Sequence, residues 1–189
     1  MKLFVPKERE AGEPRVAASP DSIKKLKLPS VDLLLIHWPN PSIPLKETMG
    51  ALCKMKREGV ARHIGVSNFT VALIEEAVGY ATEPLVNNQI ECHPYLDQGK
   101  PIAASRKRGL SVTAYSPIAR GRVKGDAVLS RIGKAHGKTA AQVCLRYLVQ
   151  HDVIVIPRTS RSERLKENFA VFDFKLTPAE MKEIAGLAH

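Results

Sequence analysis

The sequence predicts an α/β chain built on a parallel sheet, and three observations carry that expectation. Short runs that are apolar on both faces alternate with amphipathic helical patterns, in about five strand–helix units from residue 31 onward. Strands buried on both faces and separated by helices are what a helix-covered parallel sheet requires. Polar residues recur at the C-terminal ends of these strands: His37, Ser67 with Asn68, Gln89 with Glu91, Tyr115 with Ser116, and Arg158 with Thr159. In a barrel such ends converge on one rim, where the active site lies. No GxGxxG is present, so a doubly wound dinucleotide-binding sheet, which also accommodates the repeat, lacks its fingerprint. About five strands against the roughly eight of a closed barrel make the expectation a partial (β/α)8 TIM barrel.

Each element has a local reason. "VDLLLIHW" is a strand that ends by presenting an imidazole and an indole. "PLKETMGALCKMKREG" sets Leu45, Met49, Leu52 and Cys53 on one helical face, with Pro44 near its start and Gly59 at its end. "HIGVSNF" is a strand and turn, and Thr70 opens a helix that turns Leu73, Ile74, Ala77 and Val78 inward. "LVNNQIE" is a strand, residues 100–108 a basic helix closed by Gly109, and "LSVTAYS" a strand. Helices follow near 126–135 and 140–150, the second opened by Thr139 and Gln142 in capping-box spacing. "VIVIP" is a β-branched strand. Ser160 with Glu163 predicts another boxed helix start, and Thr177, Pro178 and Glu180 a last one.

The composition is that of a globular protein, with 44% hydrophobic and 25% charged residues among 189. No apolar run nears the roughly 20 residues that span a bilayer, and charges interrupt "MKLFVPKERE" too early for a secretion signal. Cys53, Cys92 and Cys144 are widely spaced without CxxC, which reads as reduced thiols in a cytoplasmic protein rather than a disulfide frame or a zinc site. Of the +10 net charge, residues 100–170 hold fifteen Lys and Arg against four Asp and Glu, or +11. Nucleic acid, a small polyanion or solvated helix faces all accommodate such a segment. Aromatic residues make up 5%, which disfavours nucleic acid as a partner.

The strand-end residues suit one ligand together. Asn and Gln side chains both donate and accept, which matches a carboxamide. An aromatic ring stacks on a flat heterocycle, and a neutral His donates to a carbonyl oxygen. "IPRTSRSERLKEN" places Arg158, Arg161 and Arg164 around a helix N-terminus, where guanidinium forks and free N–H groups make a phosphate site. That combination fits NADPH. Glu91, Cys92 and His93 are consecutive on a strand end and cannot all point one way, so no metal is expected.

From about residue 22 to the end, the sequence resembles the aldo-keto reductase family, and most of all its bacterial 2,5-diketo-D-gluconate reductase type. The resemblance is carried by Leu52 followed after nine residues by "RHIGVSNF", by "IPRTSRSERLKENFAV", and by "YSPIARG" and "NQIECHPYL". It implies that His37 is the catalytic histidine that orients a substrate carbonyl, with Trp38 at the substrate. It implies that Ser67, Asn68 and Gln89 hold the nicotinamide carboxamide and that Tyr115 stacks on the ring. Ser116 and Arg120 would lie near the pyrophosphate, Arg158, Thr159 and Arg164 around the 2′-phosphate, and Glu167 and Asn168 near the adenine. The implied reaction is NADPH-dependent reduction of an aldehyde or ketone, without a metal.

Two departures qualify this. The family completes its catalytic tetrad with an aspartate, a tyrosine and a lysine on its first strands, and their signature is absent here. None of Tyr80, Tyr95, Tyr115 and Tyr147 stands in the donor's context. The C-terminal "AGLAH" also stops short of the family's usual pocket-closing tail. Residues 1–21, "VPKEREAGEPRVAASP" above all, resemble instead the start of the alanine dehydrogenase and nicotinamide nucleotide transhydrogenase α-subunit family, in which Arg15 matches a substrate-contacting arginine. The expected organisation is thus a segment of different ancestry over 1–21 and a partial barrel over 22–189, joined near "DSIKKLKLP", with "KLFVP" available as an added strand. Functionally the alternatives are a carbonyl reductase, a catalytically impaired NADPH-binding or interaction module, and a gene remnant. Unpaired barrel edges would invite self-association.

Overall fold

A computed structural model describes residues 29–188. The expectations for residues 1–21, for the join and for "KLFVP" lie outside the described residues. The chain divides into two compact units, one of residues up to Gln89 with Pro101–Ser111, the other of Ile90–Lys100 with residues from Val112 onward.

The first unit carries β1 (Val31–Ile36), α1 (Leu45–Arg57), β2 (Ala61–Ser67), α2 (Val71–Tyr80), β3 (Leu85–Glu91, which runs into the second unit) and most of α3 (Gly99–Lys107). β1 pairs in parallel with β2, and β2 with β3. Met49, Leu52 and Cys53 of α1 and Ile74 and Ala77 of α2 pack with Leu34, Ile64 and Val66 of the strands, each large side chain contributing about 1.5–3 kcal/mol by leaving water. α1 ends where Gly59 takes φ +73, and Thr70 caps α2 by accepting from the Leu73 N–H.

One irregularity positions the site. Ile64 pairs with Leu85, but Val66 pairs with Asn88, so β3 spends one residue more than β2 across the step. That β-bulge falls opposite Gly65. A Cβ on Gly65 would meet the Asn87 carbonyl oxygen at 2.6 Å and Leu35 Cδ2 at 2.9 Å. Glycine is therefore needed here for close backbone approach.

The second unit carries β4, whose Ser111 belongs to the first unit (Ser111–Tyr115), α4 (Ala127–His136), α5 (Ala140–Gln150), β5 (Val153–Val155), α6 (Ser162–Phe169) and α7 (Pro178–Ala185). β4 pairs in parallel with β5. The core gathers Val123, Leu129, Ile132, Val143, Cys144, Leu176 and Ile184. Capping boxes form at Thr139–Gln142 and Thr177–Glu180 as the spacing predicts. The box expected from Ser160 and Glu163 does not form: α6 starts one residue later with Arg161 at its cap position and no side-chain cap bond. The chain turns into α6 through Thr159 instead, whose hydroxyl accepts from the Arg161 N–H at 3.1 Å.

Glu180 also joins α7 to α4, lying 2.8 Å from His136 Nε2. Burial opposes the charged carboxyl, but bonds from the Thr177 backbone and from His136 outweigh it and hold the pKa below its ordinary 4.5. A lowered carboxyl pKa stabilises the fold above the unfolded value and loses that contribution as pH falls through the folded one. Glu180→Gln, which keeps a capping-box residue, is therefore expected to cost roughly 1 kcal/mol or less at pH 7. It should also flatten the acid limb of a Tm-versus-pH curve below about pH 4.5; a variant whose acid limb matches wild type would refute the linkage.

Candidate active site

In the first unit the bulge sets the register of the strand ends. It places Ser67 opposite Gln89. The buried Ser67 hydroxyl donates to the Gln89 backbone carbonyl at 2.7 Å, and the Asn68 N–H donates to the same oxygen at 2.9 Å. Asn68 takes φ +63, a left-handed conformation that asparagine tolerates well. Its side-chain amide donates to the His37 backbone carbonyl at 2.9 Å and to Ser67 Oγ at 3.1 Å. His37, Ser67, Asn68 and Gln89 are thus brought into one hydrogen-bonded group at the C-terminal ends of β1, β2 and β3. The Asn88 amide supports it from behind, donating to the Phe69 carbonyl at 3.2 Å and to buried Ser105 Oγ at 3.3 Å. Trp38 follows His37 and is 45% exposed, a large apolar ring left open to a ligand or to solvent.

The second unit contains a cavity of about 620 Å³. Arg158, Thr159, Arg164, Glu167 and Asn168 line it, so five residues expected to hold one end of a cofactor share one hollow. The uncapped N-terminus of α6 adds orphan N–H groups to the guanidinium forks. Lys124, Lys134 and Lys138 line the same cavity with Thr139, and sequence reasoning did not single them out. Their signal was the +11 segment, which solvated helix faces explained equally well. Glu167 is the lone acid in the lining. Five cations line the cavity with one carboxylate, although Lys138 is also paired with Asp173 at 2.6 Å. Beside the apolar walls of Ile118, Ala140 and Pro157 they suit a ligand that carries both phosphate and a flat apolar group.

Tyr115, Ser116 and Arg120 do not line this cavity. Tyr115 is half-buried at the C-terminal end of β4. Beyond it the chain holds Ser116 at φ +49, Ala119 at +47, Arg120 at +53 and Gly121 at +94. Three non-glycine residues in the left-handed region cost on the order of 1–3 kcal/mol each and persist only where the surroundings fix them. Ala119 is buried, and its N–H donates to the Ser116 carbonyl at 2.8 Å.

The model of the aldo/keto reductase family matches residues 15–189. The chain belongs to the aldo/keto reductase family. Among curated members it is similar to a methylglyoxal reductase DkgB of Escherichia coli O157:H7, 38% identical over 88% of this chain and 64% of the relative. It is also similar to a glyoxal reductase of Bacillus subtilis, 38% identical over 95% of this chain and 65% of the relative. A crystal structure of a putative 2,5-diketo-D-gluconic acid reductase B is 50% identical with a TM-score of 0.88, over 91% of this chain and 62% of that one. A mutant of Gox0644 in complex with NADPH superposes with a TM-score of 0.84 at 35% identity, over 89% of this chain and 63% of that one. The chain therefore spans slightly less than two thirds of the aldo/keto reductases it matches, and its five parallel strands correspond to part of the family's (β/α)8 barrel. Among the described residues no helix is long and apolar enough to cross a membrane.

Proposed function

We propose that this chain binds NADPH and serves the reduction of a small aldehyde or ketone. The observation that carries the reading is the cavity in which Arg158, Arg164, Lys124, Lys134 and Lys138 meet an uncapped helix N-terminus. Arg158, Thr159 and Arg164 would hold the 2′-phosphate, and Glu167 and Asn168 the adenine. Ser116 and Arg120 would lie beside the pyrophosphate. Ser67, Asn68 and Gln89 would hold the carboxamide, with Tyr115 stacked on the ring. His37 would orient the substrate carbonyl and Trp38 would wall its pocket. When bound, NADPH supplies the hydride that the carbonyl carbon accepts. Because the relatives are named methylglyoxal and glyoxal reductases, the proposed substrates are short dicarbonyls. The three buried, unpaired cysteines fit a reducing, cytoplasmic setting.

Arg164→Ala tests the cofactor assignment. Loss of a charge-assisted bond to phosphate is expected to weaken NADPH binding about 10- to 100-fold. NADH, which has no 2′-phosphate, should change by less than about twofold. Equal losses for both nucleotides in a fluorescence titration would reject the assignment.

A second reading, an NADPH-binding module without turnover, is favoured by the tyrosines. A proton donor at neutral pH needs its pKa brought down. Burial pushes the Tyr95 hydroxyl up to about 12, and its bond to Asp126 pushes in the same direction. Burial raises Tyr147 as well.

A further inference from the structure

The run from Ser116 to Gly121 supplies one wall of the cation-lined cavity through Ile118, and Lys124 follows on the same segment. Its left-handed backbone needs an anchor. The structure provides one from α5. Cys144 is fully buried, and its thiol lies 2.9 Å from the backbone carbonyl of Pro117, inside the run. Burial raises the thiol's pKa far above its ordinary range, so it stays protonated and can donate. The same helix also holds a second lining residue: Gln142 Nε2 donates to the Glu167 carbonyl of α6 at 3.0 Å. One helix therefore ties down two segments that line the cavity, from residues two apart.

We propose that Cys144 is a positioning residue for the cofactor: its thiol, donating to the Pro117 carbonyl, fixes residues 116–121 in the conformation that forms the loop wall of the cavity. This rests on the NADPH reading above for its consequence, though not for its geometry. Cysteine here acts neither as nucleophile nor as redox centre, because it has no access to solvent. A thiol is a weak donor, so the expected effects are moderate.

The test uses the full chain with Cys144→Val, which keeps bulk and removes the donor, Cys144→Ala, which removes both, and Cys144→Ser, which keeps a donor. Amide exchange at Ala119 and Gly121 is read without ligand, because their N–H groups close the turns of the run onto Ser116 and Ile118. Exchange there should quicken about three- to tenfold in the valine and alanine variants and stay near wild type in the serine variant. NADPH binding should weaken by a similar factor of about three to ten in the first two and recover with serine. Adenosine 2′-monophosphate, which needs only the α6 wall, should change less than about twofold. Unchanged exchange at both amides overturns the proposal, as does parallel loss of both ligands, which would mark a general loss of packing. A wild-type chain that binds neither ligand would sink the NADPH reading, while the exchange data would still decide whether Cys144 anchors the run.

Discussion

Gly65→Ala is expected to destabilise the first unit by about 3 kcal/mol or more, a large share of the stability typical of a domain. The added methyl would sit 2.6 Å from the Asn87 carbonyl oxygen and 2.9 Å from Leu35 Cδ2. Backbone on a neighbouring strand cannot yield as a side-chain tip can. Relief would require β3 to slide or the bulge to straighten, and either change moves Gln89 away from Ser67. Both bonds to the Gln89 carbonyl, from Ser67 Oγ and from the Asn68 N–H, depend on that register. Gly50→Ala makes the control in the same unit. It lies in the middle of α1 with nothing within 4 Å of a new Cβ, so alanine should stabilise by about 0.5–1 kcal/mol. Urea denaturation of the two variants decides the matter. A Gly65→Ala midpoint equal to wild type would mean that the strand pairing described here is not the one adopted.

The signature "RHIGVSNF" contained this glycine, but its reason was not legible in the sequence. A bulge needs one residue more on β3 than on β2, and Val86 and Asn87 both fit a strand pattern, so no residue marks the extra one. What the sequence did show followed from strong local physics. Strands buried on both faces read as unbroken apolar runs, and Thr139 with Gln142 and Thr177 with Glu180 announced their helices correctly. Ser160 with Glu163 had the same spacing and did not form a box: the helix starts one residue later, at Ser162, and the chain enters it through a turn in which the Thr159 hydroxyl accepts from the Arg161 N–H. "VIVIP" promised a longer strand than the three residues Val153–Val155 that pair. The cavity was legible only by halves. Arginines around a helix start carry a motif, whereas Lys124, Lys134 and Lys138 stand on separate elements that only the fold brings together. The left-handed run at 116–121 was hidden for a similar reason. Its strained positions are serine, alanine and arginine, not the glycines that usually announce such backbone.

The 189-residue chain is expected to bind NADPH yet to oxidise it with methylglyoxal at a rate about 10²–10⁴-fold below that of the Bacillus subtilis glyoxal reductase assayed alongside. Hydride delivery to a carbonyl carbon leaves charge on oxygen, and without a proton donor at hand that oxygen becomes an alkoxide, about as basic as hydroxide and costly to form at neutral pH. The resemblance implies that relatives supply the proton from a tyrosine beside a lysine. Here Tyr95 is held at about 12 by burial and by Asp126, and burial raises Tyr147 too, so neither can release a proton readily at neutral pH. His37 can orient the carbonyl, but orientation without a proton source retains only part of the acceleration. NADPH affinity should meanwhile stay near the relative's, because the cations of the cavity lie within this chain. Affinity and turnover measured on one preparation thus separate the two readings. Binding with the rate deficit marks a module that retains the cofactor end of the reaction. Turnover within about tenfold of the relative would mean that another group in this chain gives the proton. A flat pH–rate profile through neutrality would then exclude a histidine, leaving the search to the remaining tyrosines, Tyr80 and Tyr115.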